Sequence, residues 1–197
     1  MAKLQDTIRR QLQDTSDLMA ATIEHADTIA DMAERLIKTL SERGKILTFG
    51  NGGSACDAQN FADELVGRYE RNRPPLPALA LTTNSSDLTA ISNDFGFEEV
   101  FSRQLKAHAQ NGDIAVAIST SGNSPNVLKA ARSAREMGLT VLGLSGQSGG
   151  KLKELCDVCL CVPSTTVARI QEVHITVIQI LCGQIEEALF PDAPKAH

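Results

Sequence analysis

Five short, mostly apolar segments constrain the fold of this sequence most strongly. They lie at 45–49, 77–81, 113–118, 139–144 and 158–162, and stretches of helical character separate them. Strands that are apolar on both faces and alternate with helices are typical of a parallel sheet covered by helices on both sides. The sequence therefore predicts an α/β fold. In such sheets, ligands bind beyond the carboxyl ends of the strands.

Two amphipathic helices precede the first strand. Apolar residues recur at helical spacing through residues 8–40, with polar residues between them. Because these helices have no strand of their own to cover, we expect them to pack against a neighbouring subunit. We therefore predict one domain over residues 1–197, in which 1–43 serve oligomer packing and 44–190 form the α/β core.

Composition and charge exclude several classes of function. The chain carries a net charge of −5 and contains one Tyr and no Trp, which argues against a nucleic-acid surface or an aromatic stacking platform. No segment approaches the roughly 20 apolar residues that cross a bilayer. The first residues, MAKLQDTIRRQLQD, are charged, so we expect no secretory signal and a cytoplasmic location.

Five cysteines predict reduced, mostly buried thiols rather than a metal cluster. Cys156, Cys159 and Cys161 are close in sequence, but residues 157–162 have the pattern of an apolar strand. No second Cys or His pair stands at zinc spacing. Histidine is also scarce, with His25, His108, His174 and His197 only, which limits any mechanism that needs several imidazoles.

The segment Ser119-Thr-Ser-Gly-Asn-Ser124 carries the clearest sign of chemistry. Four hydroxyls in six residues lie between an apolar strand and a helix that begins at Pro125. Hydroxyls, free N–H groups and the positive end of a helix dipole together form a phosphate site. Helix capping alone needs one such residue. The lysine of a nucleotide-hydrolysing P-loop is absent from the segment.

A second loop, Gly50-Asn51-Gly52-Gly53-Ser54, also joins a strand to a helix. Its spacing is not that of a dinucleotide fingerprint. Together with the first loop, it indicates a small phosphorylated ligand held at two points, with Asn51, Gly52, Gly53 and Ser54 among the binding residues.

Four motifs carry a resemblance to a known family. GNGGSACDAQNFADELVGRYERNRP, ISNDFGFEEVFSRQ, ISTSGNSPNV and ARIQEVHITVI occur in this order, and the likeness extends over about residues 1–190. Together they resemble the sugar isomerase (SIS) domain family and, within it, the phosphoheptose isomerases.

The resemblance implies a flavodoxin-like, five-stranded parallel sheet in a three-layer sandwich, and a homotetramer with active sites at subunit interfaces. It implies that Glu64 is the general base, that Arg68 and Asp94 hold the substrate or support the site, and that Gln171 faces the substrate. The residues that it implies hold the sugar phosphate are Ser54, Ser119, Thr120, Ser121 and Ser124. The expected reaction converts sedoheptulose 7-phosphate to D-glycero-D-manno-heptose 7-phosphate, a precursor for lipopolysaccharide.

Two positions depart from the family pattern. Asn60 stands where the family commonly has a histidine, and Gln179 stands where it has the histidine that serves as the acid. Those histidines, with the equivalents of Glu64 and Gln171, bind zinc where the family has metal. Amides are poor zinc ligands beside imidazole, so we expect no zinc cofactor here. Catalysis with Glu64 and Gln179 would be weakened or altered, because an amide does not exchange protons near neutral pH.

Two alternatives therefore stay open beside an isomerase. One is a non-catalytic tetramer comparable to the DnaA initiator-associating protein of the same subfamily, although that relative typically lacks the glutamate as well. The other is a phosphosugar-sensing module like those found in transcription factors, although no DNA-binding segment accompanies this chain.

Overall fold

The five apolar segments form the strands of one parallel sheet in a computed structural model, which describes residues 2–195. The strands are β1 (Ile46–Gly50), β2 (Ala78–Ala80), β3 (Ile114–Ser119), β4 (Thr140–Gly146) and β5 (Val158–Val162). Every residue of β1 and β3 is buried, as their uninterrupted apolar character requires. The predicted parallel sheet is confirmed. Met1, Ala196 and His197 lie outside the described residues.

Seven helices join and flank these strands in the described chain. They are α1 (Ala2–Thr22), α2 (Ala26–Ser41), α3 (Gly53–Val66), α4 (Ser85–Phe95), α5 (Val100–His108), α6 (Pro125–Glu136) and α7 (Val167–Leu189). Helix α3 ends at Val66, and the N–H of the next residue, Gly67, donates to the Asp63 carbonyl oxygen at 2.7 Å. The sequence pattern did not single out α4, since every residue of that helix stays at least partly exposed.

The strand order is β2-β1-β3-β4-β5, and all neighbours are parallel. In this flavodoxin-like order, the chain moves outward in opposite directions from β1 and β3. The loops that follow these two adjacent strands therefore diverge and leave a crevice between them. These are the Gly50–Ser54 and Ser119–Ser124 loops that the sequence marks as ligand-binding.

Helices cover both faces of the sheet, and each face has its own apolar core. One core joins α2, α3 and α7 to the sheet, and the other joins α5 and α6 to the opposite face. The prediction that both leading helices lack a sheet partner is wrong for α2. Met32 and Leu36 of α2 are fully buried in the first core, because α2 packs against β5 and α7.

Helix α1 remains the outlying element. Its side chains Leu4, Ile8 and Leu12 are 65%, 48% and 67% exposed. Polar contacts fasten it to α7, where Arg169 donates to the Thr15 hydroxyl and the Gln11 carbonyl, each at 2.7 Å. None of the helices formed by residues 2–195 combines the length and apolar character needed to cross a membrane.

The cysteines are free thiols, and only Cys182 among them is buried. The prediction that most would be buried is therefore wrong. Cys159 and Cys161 lie on one face of the edge strand β5, while Val158, Leu160 and Val162 fill the core on the other face.

Candidate active site

The β3–α6 loop is folded so that its hydroxyls gather at the start of α6. The Ser119 and Ser124 hydroxyls share a hydrogen bond at 3.1 Å, and the Ser121 hydroxyl lies 3.5 Å from that of Ser119. Gly122 has φ +63°, and a Cβ at this position would overlap the backbone carbonyl of Gly149. The turn therefore requires glycine, and it brings the three hydroxyls together.

The hydroxyl of Ser124 is directed to Ser119 rather than to the backbone of α6. Ser124 is the N-cap residue of α6, and Pro125 is the first helical residue. A capping serine normally accepts from an N–H of the first turn. Here the Ser124 hydroxyl bonds Ser119 instead of capping the helix. The N–H groups at the positive end of α6 are therefore available to bind an anion. The geometry favours a phosphate site over simple capping.

The β1–α3 loop forms the other side of the crevice. Gly52 has φ +57° and precedes α3, while Ser54, in the first turn of α3, is buried. The side chain of Gln171 from α7 occupies the place that a Cβ on Gly53 would take. Gly53 is therefore required by the close approach of Gln171, and the predicted site residue Gln171 lies at the N-terminus of α3.

A pair of amides locks the two loops to each other. Asn51 and Asn126 exchange two hydrogen bonds of 2.8 Å between their side chains. The Asn126 carbonyl oxygen also accepts from the Val127 N–H at 2.9 Å. Asn51 was predicted to bind substrate, and the structure shows its side chain holding the loops in register. Asn126 was missed by the sequence analysis, because its role depends on a contact 75 residues away.

A second cluster lies further along α3 and α7. Gln179 Nε2 donates to Asn60 Oδ1 at 2.7 Å and to Glu64 Oε1 at 3.4 Å. The structure thus brings together the predicted base and the two amides that replace histidines. Glu64 stands 11 residues beyond Gly53 on the helix, which places it about 16 Å from the phosphate end of α3.

The donor set of this cluster does not fit zinc. It offers one carboxylate and two amides, and the Gln179 N–H groups point at the Asn60 and Glu64 oxygens that a metal would need. Gln171 lies eight residues from Gln179 along α7, about 12 Å away, and contacts Gly53 instead. Among residues 2–195, no group of three or more His, Cys, Asp or Glu side chains is arranged as a metal-binding cluster.

Arg68 and Asp94 are both exposed on the surface. Arg68 follows the end of α3 and is exposed, and Asp94 is exposed near the end of α4, where it accepts from Asn93 Nδ2 at 2.8 Å. Along α3 of one subunit, Ser54 therefore stands near the start of the helix, whereas Glu64 and Arg68 stand at and just after its end.

His174 is a buried structural residue. It is fully buried on α7, and its Nε2 lies 3.1 Å from the Ser145 carbonyl oxygen. Burial lowers the pKa of His174 to about 4, against a smaller raising effect of the Ser145 bond. The imidazole is therefore neutral near pH 7, so it does not replace the missing acid.

Asp57 is a second residue that sequence reasoning missed. It lies on α3 one turn after Ser54, is 4% exposed, and its Oδ2 finds no hydrogen-bond partner among the residues that the structure describes. Burial raises the pKa of Asp57 to about 6. The only sequence signal was its place inside the motif GNGGSACDAQN, since a lone aspartate on a helix has no distinguishing pattern.

Comparison with known proteins agrees with this geometry. Residues 3–146 match the model of the SIS domain. The chain is 51% identical over 186 residues to a phosphoheptose isomerase of Rhodospirillum rubrum, covering 94% of this chain and 99% of the relative. The solved phosphoheptose isomerase GmhA of Neisseria gonorrhoeae has a TM-score of 0.89 at 41% identity, with 93% of this chain and 99% of that chain covered.

A solved phosphoheptose isomerase from Francisella tularensis superposes with a TM-score of 0.91 at 36% identity, covering 95% of this chain and all of that one. The chain belongs to the SIS domain family and, within it, to the phosphoheptose isomerases. The resemblance that the four sequence motifs carried is confirmed.

Replacing Ser124 tests the phosphate site. Ser124→Ala removes one donor to a doubly charged phosphate, and a hydrogen bond to a charged group contributes about 1.5–3 kcal/mol, so KM for a phosphosugar should rise roughly 10- to 100-fold. Steady-state kinetics measure it. Ser41→Ala, at the exposed end of α2, is the control and should leave KM unchanged. An unchanged KM in Ser124→Ala would contradict the assignment.

Burial of neutral His174 predicts a pH dependence of stability. The unfolded chain binds the proton near pH 6.5 and the folded chain only near pH 4, so protonation favours unfolding between these values. Relative to His174→Gln, the wild type should lose up to about 3 kcal/mol of unfolding free energy as pH falls from 6.5 to 4. Urea unfolding at a series of pH values measures this. The pKa of Asp57 is shifted in the opposite direction, but Asp57 is present in both proteins, so its contribution cancels in the difference. A pH-independent difference would show that the imidazole is not held neutral.

Proposed function

We propose that this chain isomerises sedoheptulose 7-phosphate to D-glycero-D-manno-heptose 7-phosphate, with the phosphate bound by the Ser119–Ser124 and Asn51–Ser54 loops. The observation that carries the proposal is the hydroxyl cluster at the start of α6, which faces the crevice between β1 and β3. The relatives named phosphoheptose isomerase support the same reaction.

The reaction moves a proton between C1 and C2 through an enediol, so it needs a base and a group that stabilises the sugar oxygens. Glu64 is the carboxylate available as base. Gln179, hydrogen-bonded to both Asn60 and Glu64, is placed to orient the substrate oxygens with its amide. Because the amide does not donate a proton near neutral pH, water must carry the proton that a histidine would otherwise transfer. The lack of general-acid help should slow the reaction by roughly 10²- to 10⁴-fold.

The active site is proposed to form between subunits of a homotetramer. Glu64 and Arg68 stand 11 and 15 residues beyond Gly53, at least about 16 Å along α3 from the proposed phosphate loops of their own chain, whereas a neighbouring copy can present them to those loops. An apolar groove of about 580 Å³ between α1, α2 and α7, lined in part by Ile23, Ile37 and Ile180, supports assembly through these helices.

The biosynthetic pathway and the cellular location both stay predictions. Heptose 7-phosphate is a precursor for lipopolysaccharide, so the reaction would belong to that biosynthesis. A cytoplasmic location would suit a substrate of that kind. A small phosphorylated sugar is the expected partner, and nucleic acid is not.

Isotope exchange tests the reaction. The protein is incubated with sedoheptulose 7-phosphate in deuterated water, and NMR follows solvent deuterium at C2 of the aldose product and in recovered ketose. We expect both in the wild type and neither in Glu64→Gln, because the carbon-bound proton has no other base. Phosphosugar binding without exchange in the wild type would contradict the isomerase and leave the non-catalytic alternative, for which capture of DnaA is the matching assay.

Restoring the two histidines tests the cause of weakened catalysis. The double variant Asn60→His and Gln179→His should raise kcat by roughly 10²- to 10⁴-fold, because it restores general-acid help. Gln59→His, at the adjacent exposed position on α3, is the control and should leave kcat unchanged. A double variant that is no faster than wild type would show that the amides do not limit the rate.

A charge placed in the groove tests the assembly. Ile180, 45% exposed on α7, lines the groove, so Ile180→Asp should reduce the tetramer to smaller species in sedimentation velocity at micromolar concentration. Val167→Asp, at an exposed apolar position outside the groove on the same helix, is the matched control and should stay tetrameric. A monomeric wild type would contradict the tetramer.

A further inference from the structure

A buried carboxylate at the end of α7 organises the loop that follows α3. Glu186 is 1% exposed, and its two oxygens accept from three successive backbone N–H groups, those of Tyr69, Glu70 and Arg71, at 2.9, 2.8 and 2.7 Å. Its Oε1 also accepts from Arg73 Nε at 2.9 Å. Three successive backbone N–H groups and the Arg73 guanidinium thus bond one side chain that is more than 110 residues away in sequence.

Arg73, which pairs with Glu186, also bonds the last turn of α3. Its guanidinium is fully buried and donates from Nη2 to the Glu64 carbonyl oxygen at 2.7 Å and from Nη1 to the Leu65 carbonyl oxygen at 2.8 Å. Carbonyls at a helix end lack intrahelical donors, so Arg73 supplies the bonds that this end of α3 needs. The guanidinium also lies 5.9 Å from the centre of the Phe190 ring.

The charge of Glu186 is matched by this arrangement. Burial alone raises the pKa of Glu186, but the three N–H bonds and Arg73 outweigh it and hold that pKa below the usual range. A buried ion pair adds little net stability, since desolvation offsets most of the attraction, whereas it fixes one geometry for the groups around it. The pair therefore contributes to the shape of this loop, and loss of either partner would leave the other charge buried without a counter-charge.

The loop shaped in this way carries Arg68, and the helix end carries Glu64. Arg68 is exposed and directly precedes the Tyr69 N–H that bonds Glu186, so this bond holds the backbone next to Arg68 in place. We propose that Glu186 and Arg73 are positioning residues for the isomerase site, setting Arg68 and the backbone of Glu64 in place for the substrate. This inference rests on the proposed function, from which the roles of Arg68 and Glu64 come.

Glu186→Gln is the primary variant and Glu187→Gln the matched control. The amide keeps the size of Glu186 but places N–H groups against N–H donors, so the loop should shift. A displacement of about 1 Å costs roughly 10² in rate, and we expect kcat/KM to fall by that factor. Glu187 is the next residue, is 63% exposed and pairs with Arg71, so Glu187→Gln should leave kcat/KM unchanged.

A double-mutant cycle with Arg68→Ala separates positioning from general damage to the fold. If Glu186 acts through Arg68, adding Glu186→Gln to Arg68→Ala should lower kcat/KM by much less than it does alone. Fully additive losses would overturn the proposal. Should Glu186→Gln fail to fold, Arg73→Lys keeps the charge but loses the bonds to the two helix carbonyls, and it takes the same place in the cycle.

Hydrogen exchange gives a readout that does not need turnover. The Tyr69, Glu70 and Arg71 amides should exchange faster in Glu186→Gln than in Glu187→Gln, while amides of β3 keep their protection. A wild type without isomerase activity would contradict the proposed function alone. In that case, the affinity for sedoheptulose 7-phosphate replaces kcat/KM in the cycle. Unchanged exchange of the three amides, or an active Glu186→Gln with wild-type kcat/KM, would overturn the positioning role.

Discussion

The pairing of β1 with β3 is the constraint on which the rest of the structure depends. These strands are neighbours in the sheet although 63 residues separate the end of one from the start of the other, and the chain leaves them in opposite directions. Their following loops therefore open away from each other, and two helices, α3 and α6, begin side by side at the carboxyl edge. The Asn51–Asn126 pair holds this opening at one width. A crevice suited to a ligand follows from this backbone topology, whereas the choice of phosphate is proposed from the hydroxyls that line it.

Helix α7 runs beside α3 and supports it at three levels. Gln171 packs on Gly53 at the phosphate end, Gln179 bonds Asn60 and Glu64 in the middle, and Glu186 holds the loop after α3. Each level carries a different chemistry: close packing, amide hydrogen bonds and a buried charge. Because one helix provides all three contacts, α7 supports α3 from its first residue to the loop that follows it.

Much of the fold could be predicted because strong local patterns encode it. β5 was placed with its observed bounds, and the other four strands within about two residues, since uninterrupted apolar segments between Gly and Ser loops leave few alternatives. Helix α4 was missed because it stays exposed and lacks a clear apolar stripe. The role of α2 was misjudged, since amphipathicity shows that a face is buried but not against what. The two loops at the crevice were singled out from the sequence, whereas Asp57 and Asn126 were not, because their significance depends on the residues that surround them.

The sequence by itself determined the class of fold, the two loops proposed to bind the ligand, and the replacement of two family histidines by Asn60 and Gln179. Each of these depends only on residue type and short-range spacing. Only the tertiary structure decided which residues meet. It brought Asn60, Glu64 and Gln179 together, separated Gln171 from them by about 12 Å of helix, and buried His174 as a neutral structural residue. It also showed Glu186 beneath the Arg68 loop, a contact between residues more than 110 positions apart. Burial and long-range hydrogen bonding depend on how the helices pack, and no local pattern in the chain specifies that packing.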